Sequence, residues 1–240
     1  MDRFDEVVSL GYNCEISFRI EDYFGTLNAM LFSWSLVLDR NNFPDVLRNS
    51  SHVFSEGETL CEDHMIKCKW SGIKFHPRYS VLPKVGEFKE EQYREAVQEL
   101  HSRVEHLSEK FRELCRSDKR TLFVIKLEDK GNEDNIRFLK AVTDALDAIY
   151  VSRNYVLAVV TLKETLTPEL TAMQGDKIRV FSLKKFAPQK HTNIMGDVRG
   201  WYRLFYTITG TGSANYYRNI RARRWTWFKE TVCRKFHLKK

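Results

Sequence analysis

Tyr155-Val156-Leu157-Ala158-Val159-Val160-Thr161-Leu162 is an almost unbroken apolar run of eight residues, rich in β-branched side chains. A run of this kind suits a strand buried on both faces, as in parallel sheets covered by helices. Its surroundings agree. Upstream, Ile136, Leu139, Val142, Leu146 and Ile149 recur at helical spacing over Glu133 to Tyr150, and before them Thr121 to Leu127 (TLFVIKL) forms another apolar strand pattern. Downstream, Lys177 to Leu183 repeats it. With a strand at Glu6 to Leu10, at least four strands alternate with helical segments, which predicts an α/β fold. The expectation is a three-layer sandwich with a mostly parallel, Rossmann-like sheet and right-handed crossovers. Sites in such sheets lie beyond the carboxyl ends of the strands.

Phe4 to Ile20 (FDEVVSLGYNCEISFRI) brings chemistry to such an end. Val7, Val8 and Leu10 form a short strand, Gly11 permits a tight turn, and Asn13 is a preferred helix N-cap. Ile16, Phe18 and Ile20 supply the apolar positions of the helix that follows. This places Cys14 at the first helical position, where helix dipole and unpaired amides favour a thiolate and could hold an oxyanion. A small buried cysteine that only packs the turn fits the same residues.

Ser9-Leu10-Gly11-Tyr12-Asn13-Cys14 resembles the opening motif of a bacterial family of unknown function identified as papain-like cysteine peptidases. Leu31-Phe32-Ser33-Trp34 stands where that family carries Pro-Phe-Asp-Trp, with the proline missing and Ser33 in place of the aspartate. Ile73-Lys74-Phe75-His76 resembles its histidine strand. The resemblance covers residues 3 to 160. It implies Cys14 as nucleophile, His76 as base and acyl transfer as the reaction. Gly11, Asn13, Trp34 and His191 are the residues expected around the substrate. It extends loosely to cysteine-containing enzymes of surface-polysaccharide synthesis at the inner face of the cytoplasmic membrane.

Other positions bear on this chemistry. His76 follows the second strand of an expected hairpin over residues 65 to 76 with a Ser71-Gly72 turn. His191 rivals it as base, and Asn193 or Asp197 would orient the imidazole. Tyr23 to Leu38 predicts a turn and then a helix through Trp34 and Leu38. Residues 90 to 116 carry apolar side chains three or four apart from Tyr93 to Leu114, the pattern of a long amphipathic helix. Cys61, His64, Cys68 and His76 tempt as a zinc site, but their spacing lacks the tight pairs such sites use, so no metal is expected. No glycine-rich phosphate loop precedes a helix, so no cofactor is expected. An alternative reading makes Cys14 structural and the chain a non-catalytic or glycosyltransferase-type module of an envelope polysaccharide system, with Glu128 or Asp129 at a strand end.

Charge divides the chain. The net charge of +7 combines 14 Lys or Arg against two acids from Phe181 to Lys240, giving +12, with 25 against 30 before it, giving −5. The boundary expected is an α/β domain over residues 1–183 and a basic, helical C-terminal appendage over 184–240. From Ala214 onward, Tyr217, Ile220, Trp227, Phe228, Val232 and Phe236 interleave with basic residues. Residues 214–240 thus suit an anionic membrane surface or anionic polysaccharide, or form an ordinary terminal helix docked by its aromatic stripe. Nucleic acid is disfavoured as a partner. No apolar run is long enough to span a bilayer. The acidic opening Met-Asp-Arg-Phe-Asp-Glu and five scattered cysteines lead us to expect a reducing cytoplasm, peripheral to the membrane at most.

Overall fold

The computed structural model describes residues 3–37, 39–54, 59–62, 65–76, 90–127 and 132–235. Within them the chain is α/β, with two four-stranded sheets and seven α-helices. The first sheet is all parallel. Its strands β1 (Glu6–Ser9), β6 (Thr121–Lys126), β7 (Tyr155–Leu162) and β8 (Ile178–Leu183) lie side by side in that order. Between them run α3 (Glu90–Arg116), α4 (Asn132–Ile149) and α5 (Pro168–Ala172). The register is continuous, with Val8 beside Phe123, Phe123 beside Leu157 and Leu162 beside Leu183.

Alternation along these strands sends side chains to two apolar clusters. Val8, Phe123, Ile125, Leu157 and Val159 join Leu100, Val104, Phe111, Leu139, Leu146 and Leu170 from α3, α4 and α5. Leu122, Val124, Val156, Ala158 and Val160 face the other way. They meet Ile16 and Ile20 of α1 (Glu15–Phe24), Trp201, Leu204 and Phe205 of α6 (Val198–Thr209), and Tyr216 and Ile220 of α7 (Tyr216–Lys235).

The second sheet is antiparallel, in the order β2 (Ser35–Val37), β5 (Ile73–Phe75), β4 (Met65–Cys68) and β3 (Thr59–Glu62). Ile66, Cys68, Ile73 and Phe75 add to the cluster that contains α3. Two expectations are corrected here. The predicted helix through Trp34 is a turn leading into β2, whose three residues are all buried and paired with β5, a partner distant in the chain. The hairpin of residues 65 to 76 exists, but its strands stop at Cys68 and restart at Ile73, and the Gly72 amide closes the longer loop on the Cys68 carbonyl at 2.9 Å. Between β2 and β3, α2 covers Phe43–Arg48.

The segment after Leu183 belongs to the same body. Trp201, Phe205 and Tyr216 are among its largest buried side chains. α7 beyond Arg224 is largely exposed at Trp225 and Phe228, while Trp227, also exposed in part, touches His191.

Candidate functional site

The parallel strands end together, and β1 turns straight into α1. Leu10 donates its amide to Val124 at 2.9 Å, which keeps the chain in register until the turn. Gly11 then takes φ +88°, where a Cβ would lie 2.6 Å from Val37 Cγ2, so no other residue fits without displacement. Tyr12 also adopts a positive φ, 78°, an uncommon conformation for an aromatic residue. The Gly11 amide donates to Ser9 Oγ at 3.2 Å, and the Glu15 amide donates to Asn13 Oδ1 at 3.0 Å.

Cys14, not Asn13, is the N-cap residue of α1; its carbonyl accepts from the Phe18 amide at 3.1 Å. Asn13 caps from one position earlier, through its side chain. The sequence reading was therefore one residue out of step. The electrostatic expectation changes more. Burial pushes the Cys14 thiol up to about 11, and its own backbone amide offsets only part of this. The helix N-terminus does not outweigh desolvation.

Directly behind Cys14 lies a feature the sequence reading missed. Glu15 and Lys126 are both fully buried, with Nζ 3.3 Å from Oε2. The Ala187 amide donates to Glu15 Oε2 and Trp201 Nε1 to Oε1, each at 3.1 Å. The Lys126 ammonium lies over the rings of Phe186, at 4.3 Å, and Tyr12, at 5.0 Å. Gly196, at φ +95°, leaves room for this carboxylate, because a Cβ there would sit 2.5 Å from Oε1. A signal was present: Lys126 is the one charged residue in an otherwise apolar strand core.

A second buried group ties the C-terminal loop to α1. Arg19 pairs with Asp22 at 3.0 Å and donates to the Thr192 and Met195 carbonyls at 3.1 Å. Arg223 Nε holds Asp22 Oδ1 at 2.7 Å, and Arg224 donates to the Ile194 carbonyl at 3.2 Å. Asn193 is half-buried among these anchors. His191 presents its ring edge to Trp227 at 5.5 Å between centroids, and its buried Nδ1 has no hydrogen-bond partner among the described residues.

His76 is exposed just beyond β5, and its carbonyl accepts from Arg103 at 2.6 Å. Partial desolvation and the Arg103 charge lower its pKa. Since Ser35 pairs with Phe75, His76 comes next to the level of Trp34. Trp34 packs edge-on against Phe18, 5.0 Å away and one turn along α1 from Cys14. Among the described residues no hydrogen bond joins His76 to Cys14. Asp197 caps α6, with Oδ1 on the Gly200 amide and Oδ2 on the Lys184 amide, both at 2.9 Å. It is not paired with a histidine; α6 and the end of β8 take both carboxylate oxygens.

Cys68 is buried and accepts from the Phe54 amide at 3.3 Å. His64 and the side chain of Cys61 lie outside the described residues, as do Glu128 and Asp129, and among the described residues no group of three His, Cys, Asp or Glu is arranged for a metal. No protein-family model matches the chain, and no curated protein or solved structure matches it either.

Proposed function

We propose that the chain is a cysteine-dependent acyl-transfer enzyme, of the papain-like kind its opening motif resembles, working on a thiol that is neutral at rest. The observation that carries this is the turn itself. Successive left-handed residues, Gly11 and Tyr12, deliver Cys14 to the start of α1 at the carboxyl end of a parallel strand, against a fully buried Glu15–Lys126 pair. Strained backbone and buried ion pairs both cost free energy, and they concentrate at functional sites.

In this reading His76 accepts the thiol proton as sulfur attacks the acyl carbon, so no resting thiolate–imidazolium pair is required. Its lowered pKa keeps the imidazole unprotonated at neutral pH and ready to serve. The amides opening α1 hold the oxyanion, and the imidazolium then protonates the leaving group. Water or a hydroxyl takes the acyl group in the second step. Asn193 orients the base in preference to Asp197, whose oxygens are occupied. His191, with its free Nδ1, is the alternative base. The two packing clusters support a three-layer sandwich with a Rossmann-like sheet as the scaffold. The exposed aromatic and basic end of α7 supports an anionic membrane or polysaccharide as the surface on which it works, at the inner face of the cytoplasmic membrane and in surface-polysaccharide synthesis.

One observation favours the rival reading, a non-catalytic or glycosyltransferase-type module with Cys14 structural: the thiol is pushed up to about 11 and bonds no base. Activated acyl esters separate the two. The enzyme reading expects a burst of one acyl group per chain, bound as a thioester on Cys14 and absent from Cys14→Ala. Acylation no faster than in unfolded chain sinks it.

A further inference from the structure

Beyond the Cys14 site, and independently of it, the other edge of the parallel sheet carries a second collection of charge. Leu162 and Leu183 are the last paired residues of β7 and β8, so Lys163 and Lys184 follow on neighbouring strands, about 5 Å apart at the backbone. Arg199 and Arg203 stand four apart on α6, hence on one face. All four side chains line one cavity of about 510 Å³ together with Asp197 and Tyr217. The four cations come from three separate elements, and among the described residues none forms an ion pair. The one acid of the lining, Asp197, already accepts from two backbone amides. Tyr217 forms a wall, its ring stacked on Tyr202 at 5.5 Å.

Like charges converging on a cavity repel one another unless an anion joins them. Arg side chains on a rigid helix suit the bidentate geometry of a phosphate, and lysines add point charge. The cavity is larger than one phosphate group needs and lies in the range of small-molecule sites. We infer that this pocket, at the carboxyl ends of β7 and β8, binds a phosphate-bearing anion, a phosphate or diphosphate ester whose organic part lies against Tyr217.

Calorimetric titration of the full chain with inorganic pyrophosphate at low ionic strength tests it. One saturable site is expected, weakening as salt rises. Arg199→Gln/Arg203→Gln should weaken binding about tenfold or more, and Lys163→Gln/Lys184→Gln likewise. All four side chains are exposed, and a melting curve confirms that each variant is folded; if one pair fails to fold, the other decides. Trp225→Ala/Phe228→Ala should leave the affinity unchanged. Vesicles containing phosphatidate form the second arm. Binding to them but not to pyrophosphate, lost in the same variants, would mean that the phosphate is met on a lipid headgroup. No saturable binding of either probe, or binding indifferent to both pairs of substitutions, overturns the inference.

Discussion

Cys14 keeps its proton because burial outweighs the start of a helix. Its pKa is raised to about 11, so its alkylation rate should climb with pH well past 9 and level off near 11. A plateau below about pH 8.5, the range of a free thiol, would contradict the desolvated environment. Cys68 and Cys115, both buried, should stay unreactive in the folded chain and serve as internal controls. A folded pKa above the unfolded one means that the neutral thiol stabilises fully below pH 9 and loses that contribution as pH rises towards 11. Lys126→Met makes a second test. It strands the buried Glu15 carboxylate and should cost about 3–5 kcal/mol in urea unfolding, whereas Glu15→Gln/Lys126→Met should recover much of that. Equal losses in the single and double variants would mean the pair is not coupled. At this scale the sequence was partly legible. Cys14 stood out because a glycine turn and an N-cap frame it, but the shift in its pKa comes from burial in the folded chain, which no local pattern encodes.

Elements were legible in proportion to their length. The pattern of β7 fixes its ends to the residue, and α3 emerges over its full span, because long periodic runs leave little choice. β2 and β3, of three and four residues, carry no period, and their pairing is decided by neighbours they meet only in the fold. The turn at Gly11 is the element whose chemistry is most exposed to test. Gly11→Ala forces a Cβ to within 2.6 Å of Val37 at φ +88°, and should destabilise by about 1–3 kcal/mol. An unchanged urea midpoint would mean the turn relaxes freely. Asp197→Ala removes the cap of α6 and the acceptor for the Lys184 amide together, with about 1–2 kcal/mol expected. Asp197→Asn, which keeps an acceptor, should lose less. An equal loss would mean charge matters more than capping.

At the scale of the molecule, charge and packing divide the last 60 residues differently. The charge boundary falls near residue 181, with +12 after it and −5 before it. The packing boundary falls within α7. Tyr216 and Ile220 are buried, Arg223 pairs with Asp22, and Arg224 holds the Ile194 carbonyl. Beyond them Trp225 and Phe228 stack at 5.9 Å in solvent, and Lys229 lies over Trp225. The basic aromatic stretch from Ala214 does not come away as one piece: removing it empties a buried Tyr and Ile from the core and should prevent stable folding. Ending the chain at Arg224 should not. That shorter chain lacks the aromatic anchors while keeping the pocket of Lys163, Lys184, Arg199 and Arg203. Vesicles of phosphatidylglycerol, whose headgroup is a singly charged diester, then read the end of α7 apart from that pocket. The full chain should bind them; the Lys and Arg contribution, about 1 kcal/mol each near the surface, falls with salt, while the share from buried Trp and Phe persists. The chain ending at Arg224 should still fold, with only a small drop in melting point from the lost Trp227–His191 contact, and bind at least about tenfold more weakly. If it binds as tightly as the full chain, the exposed aromatics are not the anchor; if it fails to fold, α7 supports the core well past Arg224 and its exposed half is no separate device.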